Sequence, residues 1–310
     1  MVKEKRGTGR HWWQDWELYL MALPCIVVVI IFNYIPMGGI ILAFKSYNFS
    51  DGVLKSPWVG FDNFRFFFES GVAGRLVFNT VFLNTLFALA VQILGILAAL
   101  FLNEIFKYKV AKVYQSVLFF PHFISWVIVG YFSYAFLNAD NGLVNNLLNG
   151  MGIKEINWYA EPGYWPVILT IISVWKGLGY FTIIYLAGMV TINPELYEAV
   201  RLDGGNKYHE MRYITFPMIK PLIYTNVFLA LGRMFYANFD FFNNVVRNTG
   251  QIMSTTDVID TYVMRSVLVT GDFNMAAAAG LFQGICGFIL ILGSNWLVDR
   301  FDKELSLIHI

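Results

Sequence analysis

Six apolar runs, at 18–44, 76–103, 113–137, 165–191, 222–246 and 275–298, limit the folds open to this chain more than any other feature. Each is long enough to cross a bilayer, which takes about 20 mostly apolar residues in a helix. Helices and closed barrels alone satisfy their own backbone polar groups where water is absent. The composition agrees, since 57% of the residues are hydrophobic and 14% are charged. The expected architecture is all-α and transmembrane: a leading segment at 1–17, a six-span membrane domain at 18–298 and a tail at 299–310.

The polar connectors fall at 45–75, 104–112, 138–164, 192–221 and 247–274. The leading segment, the second and fourth connectors and the tail together carry thirteen Lys and Arg, against seven in the other three connectors. The positive-inside rule therefore places both termini and the 192–221 connector in the cytoplasm. Trp12, Trp13 and Trp16 read as an interfacial anchor in contact with membrane lipid. The first apolar run is too long for a signal-peptide core, so the leading segment is expected to be retained. A net charge of +1 gives no reason to expect nucleic acid. In the last run, Ala276, Gly280, Gly284 and Gly287 form a small-residue face that permits close helix packing.

Chemistry has little support. Cys25 and Cys286 sit inside apolar runs and read as packing residues. The four histidines, His11, His122, His209 and His309, have neither metal nor nucleophile spacing, and no Gly-x-x-x-x-Gly-Lys-Ser/Thr loop occurs. No catalytic residue, metal site or resident cofactor is expected.

The fourth connector carries the most specific pattern. Asn193 is a good N-cap, Pro194 suits the first helical position, and Glu195 and Glu198 favour the positive end of a helix dipole. Asp203-Gly204-Gly205 is a natural stop, with Gly204 expected at positive φ, and a second helix is expected to run until Pro217. This helix-turn-helix at 193–217 resembles the EAA loop of ABC importer permeases: Glu198, Ala199, Asp203, Gly204, Ile214 and Pro217 match its pattern, whereas Val200, Gly205, Met211 and Phe216 depart from it within small or apolar classes. The opening run and the segments TDVIDTYVMR and GDFNMAAAAGLFQG are similar to the carbohydrate branch that handles complex oligosaccharides and polysaccharides, including permease subunits of alginate importers.

That resemblance implies a six-helix type I ABC importer permease in the bacterial inner membrane. It implies a second permease subunit, identical or paralogous, and two ATP-binding subunits that hold ATP and Mg. It further implies a periplasmic or extracellular solute-binding protein and a saccharide cargo. In the family the matched loop docks on the ATPase and couples it to the membrane helices.

Charges within the spans stand apart, because each costs about 2.5–3.5 kcal/mol on insertion scales. They are Lys176 in the fourth run and Arg233 and Asp240 in the fifth. On one uninterrupted helix, Arg233, Tyr236, Asp240, Asn244 and Arg247 fall within roughly 80°, a polar stripe suited to a pathway or a subunit interface. The alternative is structural pairing of Lys176 with Asp240. An unpaired Arg233 favours an acidic saccharide, such as a uronate chain, over a neutral one. A secondary transporter or channel is the rival reading; it requires ionisable relays in several spans and leaves the 193–217 pattern unexplained.

Overall fold

The computed structural model describes residues 16–104 and 108–301. Trp12 and Trp13 of the expected anchor, and nearly all of the tail, lie outside them. The helices that carry the architecture are α1 (Trp16–Phe44), α2 (Val72–Asn103), α3 (Tyr108–Phe123), α4 (Trp126–Leu137), α5 (Trp165–Val190), α6 (Pro194–Leu202), α7 (Lys207–Gly232), α8 (Phe239–Val246), α9 (Ile259–Arg265) and α10 (Phe273–Phe301). By length and hydropathy α1, α2, α5, α7 and α10 each suffice to cross a membrane, and α3 with α4 makes a sixth crossing bent by 95°.

The centre is the α2–α5 pair. Small residues let the helices close up: a Cβ added at Gly95 would lie 2.8 Å from Phe181 Cβ, and one at Gly177 would lie 3.1 Å from Val91 Cγ1. Toward the 193–217 loop, Ala99, Leu100, Tyr185, Met189 and Ile219 form one buried cluster; toward the opposite end, Leu83, Phe87, Trp165, Leu169, Phe242 and Val245 form another. The small-residue face expected on the last run behaves differently. Gly280 meets nothing within 4 Å, and Gly287 receives the Tyr236 ring, whose Cε2 lies 3.0 Å from where a Cβ would stand. At Gly284 and Gly287 the face seats an aromatic ring, while Ala276 at its start is buried.

Two spans depart from the expected straight helices. The third breaks after Phe123, where Pro121 weakens the last turn of α3 and Ser125, in extended conformation, caps α4 by accepting from Ile128 N–H at 3.4 Å. The fifth starts at Lys207 and stops at Gly232, instead of covering 222–246. The second helix of the expected helix-turn-helix consequently does not stop at Pro217. A π-type turn at Met211–Thr215 absorbs the missing proline donor, and the helix runs on through Pro217 and Pro221.

Irregular backbone at 233–238 then separates α7 from α8, and polar side chains from three other helices satisfy it. Asn84 Nδ2 donates to the Met234 carbonyl at 2.8 Å, Gln283 Nε2 donates to the Phe235 carbonyl at 2.7 Å, and Asp260 Oδ2 accepts from Ala237 N–H at 2.8 Å. Burial pushes the Asp260 carboxyl up, while the donors from Ala237 and Gln283 pull it back. Such breaks survive in membranes only where protein replaces water as partner. Gln283→Leu removes the donor to both the Phe235 carbonyl and Asp260, at an expected cost of about 1–3 kcal/mol. The thermal unfolding midpoint in detergent should fall clearly; an unchanged midpoint would show that the break does not depend on this contact.

Candidate functional site

Two regions hold most of the sequence-derived candidates. The first is the protruding turn between α6 and α7. Asn193 caps α6 by accepting from Glu195 N–H at 3.1 Å, and the chain reverses at Gly204 with φ of 78°. Glu198, Ala199, Asp203 and Gly204 are exposed together on this turn, whereas Ile214 tucks against the α2–α5–α7 cluster and Pro217 lies within α7. Leu202, at the tip, is 89% exposed. Sequence reading passed over it because it stands between two charges.

An ionic network fixes how this turn sits. Arg201 Nε lies 2.6 Å from Glu210 Oε1, Lys207 Nζ lies 3.1 Å from Glu210 Oε2, and the same ammonium lies 2.8 Å from Glu104 at the end of α2. Exposed pairs count for little singly, but here two cations share one carboxylate that is only 5% exposed. Two departures from the loop pattern also prove to be one fit: a Cβ at Gly205 would stand 2.5 Å from Val200 Cγ1, so the larger residue at 200 is matched by the missing side chain at 205.

Gly204 meets nothing within 4 Å, and only its left-handed backbone restricts it. Gly204→Val should strain the turn by about 1–2 kcal/mol. The resemblance of this turn to the EAA loop implies that retention of a tagged ATPase on the purified chain drops several-fold while the chain's own yield changes little, and that Gly204→Asn retains more ATPase than Val. Equal retention by all three would remove the turn from docking.

The second region is a cleft of about 450 Å³ where both broken spans meet. It gathers Lys176, Arg233 and Tyr236 with Asn84, His122 and Ser173. Lys176 does not pair with Asp240. Its ammonium donates to the carbonyls of Pro121 at 3.2 Å, His122 at 2.9 Å and Ile124, and it lies 4.9 Å from the centre of the Trp126 ring. These carbonyls are the negative end of α3, so the lysine holds the bend as it supplies the cleft with a cation. Arg233 ends α7 with an exposed side chain and, among the described residues, no carboxylate in ion-pair range. Both α4 and α8 begin at the cleft, capped by Ser125 and by Asn238, which accepts from Phe241 N–H at 3.0 Å. Their positive ends add to the two cations.

The single polar stripe from Arg233 to Arg247 does not exist, because 233–238 is not helical. Tyr236 packs against α10, while Asp240 and Asn244 lie on the outer face of α8, away from the cleft. Asn84, His122 and Ser173 were missed; the available signal was a polar side chain interrupting an apolar run.

Against known proteins, the model of the family described as "Binding-protein-dependent transport system inner membrane component" matches residues 92–307. Protein LplB of Bacillus subtilis (strain 168) is 33% identical over 302 residues, covering 96% of this chain and 94% of its own. The polygalacturonan/rhamnogalacturonan transport system permease protein YteP of the same organism is 35% identical over 294 residues, covering 94% and 90%. Among solved structures, a chain from the crystal structure of a bacterial ABC transporter involved in the import of the acidic polysaccharide alginate superposes with a TM-score of 0.85. It is 34% identical and covers 93% of this chain and 97% of its own.

Proposed function

Because this chain belongs to the family of binding-protein-dependent transport system inner membrane components and is a carbohydrate ABC importer permease of the six-helix type I fold, we propose that it forms one half of a pore for an acidic oligo- or polysaccharide. The observation that carries the cargo class is the cleft: an exposed Arg233 without a carboxylate partner, the Lys176 ammonium and two helix starts converge where the membrane-embedded backbone is broken. Preorganised positive groups at membrane depth favour an anion and gain little from a neutral sugar. Tyr236, half exposed in the cleft, supplies a flat apolar surface on which a sugar ring stacks. The similarity to a relative named for polygalacturonan and to a transporter of the acidic polysaccharide alginate supports the same reading.

In this reading the 193–217 turn faces the cytoplasm, as do both termini, and Glu198, Asp203 and Leu202 engage an ATP-binding subunit. ATP and Mg belong to that partner, and a second permease subunit completes the pore. A solute-binding protein delivers the sugar on the other side. Closure of the ATPase pair moves the turn, and the Arg201–Glu210–Lys207–Glu104 network passes that movement to α7 and α2.

The test is ATPase activity of the assembled transporter with its binding protein, over a panel of acidic and neutral oligosaccharides of equal length. Acidic members should stimulate hydrolysis several-fold more than neutral ones. Stimulation by neutral members alone would overturn the cargo assignment.

A further inference from the structure

A second cleft, of about 320 Å³ and lined mostly by polar groups, opens between α4 and α8 toward the end of the molecule opposite the 193–217 turn. Tyr131, Asn243, Asn244, Arg247 and Asn248 line it. Helix α8 turns Phe241, Phe242, Val245 and Val246 inward, which leaves Asp240, Asn243, Asn244 and Arg247 on its open side. Gly130 lets the two helices touch: a Cβ there would stand 2.5 Å from the Asn244 carbonyl oxygen.

Arg247 and Asn248 end α8 with φ of 59° and 50°, two consecutive non-glycine residues in the left-handed region. Side chains adopt that conformation at a cost, so the surroundings must hold it. They do so through the 256–265 segment. Asn248 Oδ1 accepts from Arg265 Nη1 at 3.3 Å, and Arg265 is clamped by both oxygens of Asp257, at 3.0 and 2.8 Å. Asp257 is 1% exposed and also accepts from Thr261 at 3.0 Å. At the same reversal the Arg247 guanidinium lies over the Tyr134 ring, 4.1 Å from its centre. A guanidinium stacked in this way keeps its planar N–H fork free for a carboxylate. No carboxylate lies in ion-pair range of Arg247 among the described residues. Asp240, on the same face, is seven residues away, about 10 Å along the helix.

We propose that this cleft is an outer subsite that takes the carboxylate of an acidic sugar residue, with Asn243, Asn244 and Tyr131 meeting its hydroxyls, before the chain reaches Lys176 and Arg233. The proposal rests on the acidic-saccharide reading. Trp126, which carries the Lys176 ammonium, and Tyr134, which carries Arg247, are eight residues apart on α4, about 12 Å along its axis. Along the axis of α4 that spacing is within the reach of a short oligosaccharide. Through Asn248, the 256–265 segment braces the reversal at which Arg247 sits.

The experiment uses the complete transporter in proteoliposomes. Its binding protein is saturated with either a uronate oligosaccharide or the methyl ester of the same oligosaccharide, so that the binding protein's own preference drops out. Arg247→Gln should slow turnover of the acid at least tenfold and of the ester less than twofold, and Arg247→Lys, which keeps the charge but not the fork, should recover part of the loss. Equal slowing of both sugars, or of neither, would overturn the subsite. So would loss of binding-protein docking, measured by co-sedimentation, in proportion to the loss of turnover. Failure of the wider reading is distinguishable, because the wild-type transporter would then turn over the ester as fast as the acid.

Discussion

Glu198→Lys is expected to reduce saccharide uptake by two orders of magnitude or more, while the assembled membrane domain keeps its detergent elution profile and thermal midpoint. The side chain is exposed on α6, six residues before the reversal at Gly204, and makes no ion pair within the described chain. Nothing in the fold therefore needs its carboxylate. In the proposed coupling role it meets a partner surface, where replacing an anion by a cation adds like-charge repulsion to the lost contacts. The check is paired: uptake in proteoliposomes and ATP hydrolysis stimulated by the loaded binding protein. Normal values for both would remove Glu198 from coupling, and a collapsed elution profile would make it structural.

The second large effect is at Arg233. Arg233→Gln keeps a hydrogen-bonding side chain at the end of α7 but removes the cation that has no carboxylate partner in the cleft. Uptake of an acidic oligosaccharide should fall tenfold or more, against less than threefold for a neutral one of equal length. Lys176→Met is a weaker probe of cargo, since that ammonium also satisfies the Pro121, His122 and Ile124 carbonyls and its loss loosens the bend between α3 and α4. If Arg233→Gln lowers both substrates equally, or neither, Arg233 does not read substrate charge.

The apolar runs made the membrane architecture legible, since run length and hydropathy need no tertiary information. The Asn193 cap and the positive φ of Gly204 were legible for a similar reason: both are local backbone chemistry. The breaks were not. Nothing in the residues from Arg233 to Asn238 forbids a helix, and the interruption exists because Asn84, Gln283 and Asp260, distant in sequence, satisfy the backbone it frees. A helical wheel drawn through it consequently joined Arg233 and Tyr236 to Asp240 and Asn244, which the fold separates. Glu210 was overlooked because a charge near a polar connector reads as solvated, yet it lies buried between Arg201 and Lys207.

In the proposed mechanism cargo moves only when ATP hydrolysis is transmitted through the 193–217 turn. The most direct measurement is accumulation of a labelled uronate oligosaccharide inside proteoliposomes that carry the assembled complex, with ATP on the ATPase side, the loaded binding protein on the other and no ion gradient. Accumulation against the sugar gradient is expected, abolished by omitting either ATP or the binding protein and lost in Glu198→Lys. Accumulation driven by an ion gradient without ATP would contradict that coupling and identify a secondary transporter.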